Sequence, residues 1–193
     1  MNIGIDIDDT LVDSTKNLET EIVKYDTSGD VVKYIEEIMS GGIPTENVRK
    51  FLEDHSLEVL GNADIKENAV DVIKRLKAKG HNIFFITSRS DEICMGEKEL
   101  TINYFKRYGV LYDGVYFDSK DKAKVCKELN VDIMIDDSIR HCESIEKAGI
   151  KAFLFTSGVN IGKDTNVKRV DDWLMLEKEI EKYIEGKADG NRR

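Results

Sequence analysis

Ile3-Gly4-Ile5-Asp6-Ile7-Asp8-Asp9-Thr10-Leu11-Val12 sets an apolar, strand-like run directly against three acids and a threonine. Side chains alternate across a strand, which predicts Asp6 and Asp8 on one side and Ile5 and Ile7 on the other. Two carboxylates at the carboxyl end of a buried strand repel each other and lose hydration, so they need a cation or a proton. The competing reading is an acidic surface turn or helix N-cap, because Asp serves well in both.

The rest of the chain supplies matching parts. From Asp64 the pattern alternates regularly between helices and strands. Ala69, Val72, Ile73 and Leu76 mark the buried stripe of a helix closed by Gly80. Asn82–Ile86 is an apolar strand running into Thr87-Ser88-Arg89. A helix from Glu97 to Tyr108, a short strand at Val115–Phe117 and a helix from Lys120 to Leu129 follow. Ile133-Met134-Ile135 is another apolar strand, leading into Asp136-Asp137, with Ser138 as N-cap of a helix closed by Gly149. Lys151–Phe155 is the fifth strand, and a last helix carries Trp173, Leu176, Ile180 and Ile184, with Asp171 as its cap.

Strands apolar on both faces that alternate with helices predict a parallel sheet covered on each side, an α/β fold. Ligands of such sheets bind beyond the carboxyl ends of the strands, where the winding reverses. Asp6/Asp8/Thr10, Thr87/Ser88 and Asp136/Asp137 all follow apolar strands and are therefore expected to converge in one crevice. Between the first two strands, residues 14–63 read as helices with polar turns: Asn17–Tyr25, Val31–Met39 closed by Ser40-Gly41-Gly42, and a third beginning near Pro44 with Val48, Phe51, Leu52, His55 and Val59. That block is too long for a simple crossover and too patterned for a loop. The predicted division is a core of residues 1–13 and 64–185, a small helical cap of residues 14–63, and a polar, disordered tail over residues 186–193.

Composition narrows the function. The 193 residues suit one domain with a small insertion. A net charge of −9 and the lack of a basic patch argue against coating a nucleic-acid polymer or an anionic membrane. No apolar run approaches bilayer-spanning length and no signal peptide is visible. Cys94, Cys126 and Cys142 are scattered and odd in number, which points to a reducing cytoplasm and to core packing rather than disulfides or a catalytic thiol. His55, His81 and His141 lack the spacing of a zinc site.

A crevice ringed by acids is a hard-oxygen site suited to Mg2+. Thr87 and Ser88 offer hydroxyl and N–H donors for an oxyanion, and Lys120, Lys122 or Lys124 can balance charge. These ingredients suggest phosphoryl transfer to an aspartate. Arg89 reads as a surface salt-bridge residue, and the cap aromatics Tyr25, Tyr34 and Phe51 as packing residues rather than base-stacking ones.

At this point the residues resemble the haloacid dehalogenase superfamily of phosphohydrolases. Asp6-Ile7-Asp8-Asp9-Thr10 matches its Asp-x-Asp-x-Thr motif, Thr87 its hydroxyl motif, Lys122 in Asp121-Lys122-Ala123 its lysine motif, and Asp136-Asp137 its terminal acid pair. Within it the chain is similar to small bacterial nucleotidase-like proteins related to the 5′(3′)-deoxyribonucleotidases. The resemblance implies a three-layer Rossmann-like core with a helical cap and a Mg2+-dependent phosphatase acting on a small phosphate ester, a nucleoside monophosphate first. It implies Asp6 as nucleophile, and Asp8 as acid and then base, with a raised pKa. Mg2+ would be held by Asp6, the Asp8 carbonyl and Asp137, with Asp136 orienting Lys122 or water. Thr87, Ser88 and Lys122 would hold phosphoryl oxygens, and Thr10 would fix the loop. The alternatives are a phosphatase for another ester such as a sugar phosphate, or a non-catalytic phospho-ligand module. A receiver domain has its acids in the wrong order, a haloalkanoate dehalogenase needs no Asp8, and Gly158–Asp164 lacks P-loop spacing.

Overall fold

Six short runs form one parallel sheet in the computed structural model, which describes residues 1–25, 46–92 and 95–190. The strands are β1 (Asn2–Ile5), β2 (Asn82–Ile86), β3 (Gly114–Tyr116), β4 (Ile133–Asp136), β5 (Lys151–Phe155) and β6 (Lys168–Val170). Their spatial order is β3-β2-β1-β4-β5-β6. The winding runs one way from β1 through β2 to β3 and the other way from β4 through β5 to β6, so it reverses between β1 and β4. Ile3 registers with Ile83 on one side and Ile133 on the other, which sets the tips of β1 and β4 level.

The described helices are α1 (Ser14–Tyr25), α2 (Glu46–Asn62), α3 (Ala69–Ala78), α4 (Glu97–Tyr108), α5 (Lys122–Glu128), α6 (Ile139–Lys147) and α7 (Trp173–Gly190). Strand alternation sorts the core into two layers. Ile3, Ile5, Phe85, Ile135, Phe153 and Phe155 face the side holding α3, α4 and α7. Met134, Ala152 and Leu154 face the side of α5 and α6, where Cys126, Cys142 and Ile145 meet them. Gly4 points to that second side, and a Cβ there would lie 2.6 Å from Met134 Sδ, so β1 carries no side chain where β4 carries a long one. Helices on both faces of a parallel sheet give the expected α/β sandwich, with a small helical region after β1.

Several expectations need correction. Five strands were legible; β6 escapes because Lys168-Arg169-Val170 is short and mostly polar, and it forms by pairing with β5. β1 stops at Ile5, so a turn rather than strand alternation places Asp8. α7 is capped by Asp172, whose side chain accepts from Met175 N at 2.7 Å, whereas Asp171 accepts from the Thr156 hydroxyl. The helix also runs to Gly190, through part of the stretch expected to be disordered, because Glu185, Lys187 and Ala188 are good helix formers. Residues 191–193, the predicted helix at Val31–Met39, Pro44, Tyr34 and Cys94 lie outside the described residues, as do the side chains of Tyr25, Val48 and Leu52. Cys126 and Cys142 are buried in the core as expected, and burial pushes both thiols up. No described helix is long and apolar enough to cross a membrane.

Candidate active site

The first loop begins where β1 ends. Asp6 N still donates to Ile135 O at 2.9 Å, so Asp6 is held at the tip of β1 beside β4. Ile7 O then accepts from Leu11 N and Val12 N at 2.8 and 3.1 Å, winding the chain into a tight turn. Asp9 takes a left-handed conformation in it, φ 53°, which Asp tolerates better than most residues. The Asp9 carboxylate accepts from the main-chain N and the hydroxyl of Thr15, tying the turn to the first turn of α1. Trp173 Nε1 donates to Thr10 O at 3.1 Å from the opposite side. The Thr10 hydroxyl is buried without a hydrogen-bond partner among the described residues.

Four residues predicted to meet do meet. Lys122 Nζ lies 2.7 Å from Asp6 Oδ1 and 2.6 Å from Asp136 Oδ2, and the lysine is almost wholly buried. Lys122 opens α5, where Asp121 caps the helix by accepting from Lys124 N. Lys120 pairs instead with Glu92 on the surface, and Lys124 with Glu128, so of the three lysines Lys122 stands among the acids. Carboxylate oxygens of Asp6, Asp136 and Asp137 fall within 4.8 Å of one another, all three buried. Asp136 spends its other oxygen on Ser138 N at 2.8 Å, leaving it bound on both sides. Asp137 accepts from Ser157 Oγ at 3.1 Å. Asp8 is not part of the triad.

Electrostatics follow from that packing. Burial, opposed by Lys122 and reinforced by Asp136 and Asp8, lifts Asp6 to about 7. Burial and the charges of Asp136 and Asp6 push Asp137 well above the ordinary carboxylate range. Asp136 moves the other way: burial raises it, but Lys122 and His141 together take it below the ordinary value. Lys122 stays protonated, since Asp136 and Asp6 outweigh the cost of burial. Of the three clustered carboxylates Lys122 pairs with Asp6 and Asp136 and not with Asp137, a deficit of positive charge that an oxygen-seeking divalent cation fits.

Asp8 departs from expectation, and Arg89 is the reason. Arg89 is buried rather than superficial: Nε donates to Asp8 Oδ2 at 3.0 Å, Nη2 to Asp8 Oδ1 at 2.7 Å, and Nη1 to Thr101 Oγ1 on α4 at 3.0 Å. Ser14 Oγ also donates to Asp8. Burial raises the Asp8 pKa, but the guanidinium and the Ser14 hydroxyl bring it below the ordinary range, opposite to the raised value expected. Two bonds from one guanidinium favour the charged carboxylate, and with the Ser14 bond they outweigh burial.

Thr87 is fully buried at the tip of β2, where its hydroxyl accepts from Arg89 N at 3.2 Å and its carbonyl from Ser119 N at 2.9 Å. Ser88 is exposed to a cavity of about 300 Å³ lined also by Asp8, Asp9, Arg89, Glu97 and Asp137. From the helical region Ser14, Thr15, Leu18, Ser56, Val59 and Leu60 line the same cavity, so α1 and α2 roof the strand tips. Phe51 and His55 lie ring to ring at 5.1 Å on α2, and Phe51 is not among the lining residues, in keeping with packing. His141 Nδ1 stands 3.4 Å from Asp136 Oδ2 without hydrogen-bond alignment. Sequence reasoning missed Ser157 and Asn160; the signal was available, because Thr156-Ser157 follows an apolar strand just as Thr87-Ser88 does.

No protein-family model matches the chain. A Bacillus cereus protein named "Putative nucleotidase" is 26% identical over 193 residues, covering 95% of this chain and 100% of that protein. Among solved structures, a phosphatase from Clostridium acetobutylicum, described as predicted, superposes with a TM-score of 0.66 at 14% identity, over 94% of this chain and 98% of that one. A haloacid dehalogenase-superfamily hydrolase from Ehrlichia chaffeensis gives 0.55 at 13% identity, over 95% and 97%. At these identities the structural likenesses establish the fold.

Proposed function

From a chain with the haloacid dehalogenase-superfamily fold, we propose a divalent-cation-dependent phosphomonoester hydrolase that works through an aspartyl-phosphate on Asp6. The observation that carries this reading is the meeting of Asp6, Lys122, Asp136 and Asp137 at the tips of β1 and β4, where the winding reverses. Asp6, Asp137 and the Asp8 carbonyl would hold the cation, Mg2+ by the hardness of the donors, while Asp136 stays on Lys122 and Ser138. When bound, the cation neutralises the carboxylates and the charge on phosphoryl oxygens.

The residues divide the reaction as follows. Lys122 turns from Asp6 toward a phosphoryl oxygen, helped by the Ser88 hydroxyl and the N–H groups following Thr87. The Asp6 carboxylate attacks phosphorus, the bond from phosphorus to the ester oxygen breaks, and the leaving oxygen takes a proton. Water then attacks the aspartyl-phosphate, giving up a proton as phosphate leaves and Asp6 is restored. Asp8 suits the second half directly, because Arg89 keeps it ionised and a carboxylate can accept that proton. Donating to the leaving oxygen requires Asp8 first to part from Arg89 and take up a proton.

Nucleoside monophosphates are the proposed substrates. The supports are the likeness to the Bacillus cereus protein and a cavity whose roof mixes apolar Leu18, Val59 and Leu60 with the hydroxyls of Ser14, Thr15 and Ser56. The test is phosphate release from p-nitrophenyl phosphate and a panel of nucleotides, sugar phosphates and phosphoserine, with Mg2+ and with chelator. Asp6→Asn is expected to lower turnover on the order of 10³-fold or more with the fold intact. Undiminished turnover in that variant removes Asp6 as nucleophile, and a strong preference for sugar phosphates removes the nucleotidase assignment.

A further inference from the structure

Behind the acidic cluster lies a set of contacts the mechanism above leaves unused. After β5 the chain passes through Thr156 and Ser157 to Asn160 before returning as β6. Asn160 is almost wholly buried, and its amide nitrogen reaches the carbonyls of Asp137 and Phe155, each at 2.7 Å, and Ser157 Oγ at 3.2 Å. Its amide oxygen accepts from Ser157 N at 3.3 Å and from Arg169 Nη1 on β6 at 2.8 Å. Ser157, also buried, donates to Asp137 Oδ2. Asp137 is therefore gripped twice, by Asn160 at its main-chain carbonyl and by Ser157 at its carboxylate.

The grip matters because Asp137 has a second place to go. Among the described residues no lysine or arginine pairs with it. It lines the large cavity and also a neighbouring one of about 240 Å³, bounded by Ser138, Asn160 and Lys163. A buried carboxylate without a counter-charge gains by rotating toward a lysine or toward water. The hydroxyl bond on Oδ2 holds Asp137 in a rotamer that keeps a carboxylate oxygen within 4.8 Å of oxygens of Asp6 and Asp136.

We infer that Ser157 and Asn160 are positioning residues that hold Asp137 in its ligating posture, so the loop between β5 and β6 sets the affinity for the divalent cation. This rests on the reading of Asp137 as a cation ligand.

The test is titration of Mg2+ into the substrate-free full chain by calorimetry, for wild type, Ser157→Ala, Asn160→Ala and Asp137→Asn. Ser157→Ala is expected to weaken binding about tenfold, within the range typical of residues that orient ligands. Its turnover of p-nitrophenyl phosphate should return to near the wild-type value at saturating Mg2+, a rescue that a merely structural defect would not show. Asn160→Ala is expected to weaken binding further; should it fail to fold, Ser157→Ala decides alone. If Asp137→Asn abolishes binding while folded Ser157→Ala keeps the wild-type affinity, the inference is overturned and the ligand assignment stands. If wild type takes up no Mg2+, the ligand assignment itself fails and the inference falls with it.

Discussion

Arg89 and Asp8 meet in a two-pronged ion pair, Nε to Oδ2 at 3.0 Å and Nη2 to Oδ1 at 2.7 Å, with the guanidinium buried and the carboxylate partly open to the cavity. Both donors belong to one planar guanidinium, a fork that an ammonium cannot reproduce. Arg89→Lys is therefore expected to recover less than half of what Arg89→Gln loses, with the loss for Arg89→Gln about 2 kcal/mol, since one partner keeps some water. Urea unfolding of the two variants checks this. Equal stability of Arg89→Lys and wild type would show that charge alone is what the site requires.

Lys122 is a harsher case. It is the cation on which both Asp6 and Asp136 depend, and all three are buried. Lys122→Met fills the space with apolar atoms but leaves two carboxylates uncompensated. The expected cost is about 3 to 5 kcal/mol in chelator, as for other buried pairs stripped of one partner. Added Mg2+ should restore part of it by supplying positive charge beside Asp6. Thermal unfolding with and without Mg2+ measures both effects; a variant as stable as wild type in chelator contradicts the charge balance described here.

Acid stability has a separate, superficial contributor. Asp113 accepts from Lys77 Nζ at 2.6 and 2.7 Å and from Ile83 N at 2.7 Å, joining the loop before β3 to β2. Slight burial raises its pKa, but the Lys77 and Ile83 bonds bring it below the ordinary value. A depressed folded pKa means that the ionised form stabilises the fold above the unfolded value of about 3.9, and that this contribution disappears as pH falls through the folded value. Asp113→Asn should cost about 1 kcal/mol at neutral pH, discounted for exposure, and converge with wild type in stability below that point. Unfolding curves between neutral and acid pH would show the convergence; a gap that stays constant into acid removes the assignment.

The order and type of the elements from Ala69 to Phe155 were legible in the chain, because strands buried on both faces must be apolar throughout and their helices must carry one apolar stripe. The same holds for the places where Asp6, Thr87, Asp136 and Asp137 sit, since each follows such a strand, whereas Lys122 was set apart from Lys120 and Lys124 by the family resemblance and not by periodicity. β6 was not legible: Lys168-Arg169-Val170 becomes a strand only by pairing with β5.

What local pattern could not supply was partnership across the fold. Arg89 is 81 residues from Asp8, and Ser157 is 20 from Asp137. A polar residue next to a strand tip looks the same in sequence whether it meets water or a carboxylate. Alternation along β1 predicted a common side for Asp6 and Asp8, but the turn after Ile5 gave Asp8 to Arg89 and left Asp6 to Lys122. Periodicity reports which way a side chain leaves its own strand. Which charge waits there is set by the packing of distant segments, and with it the ionisation of every acid in the crevice.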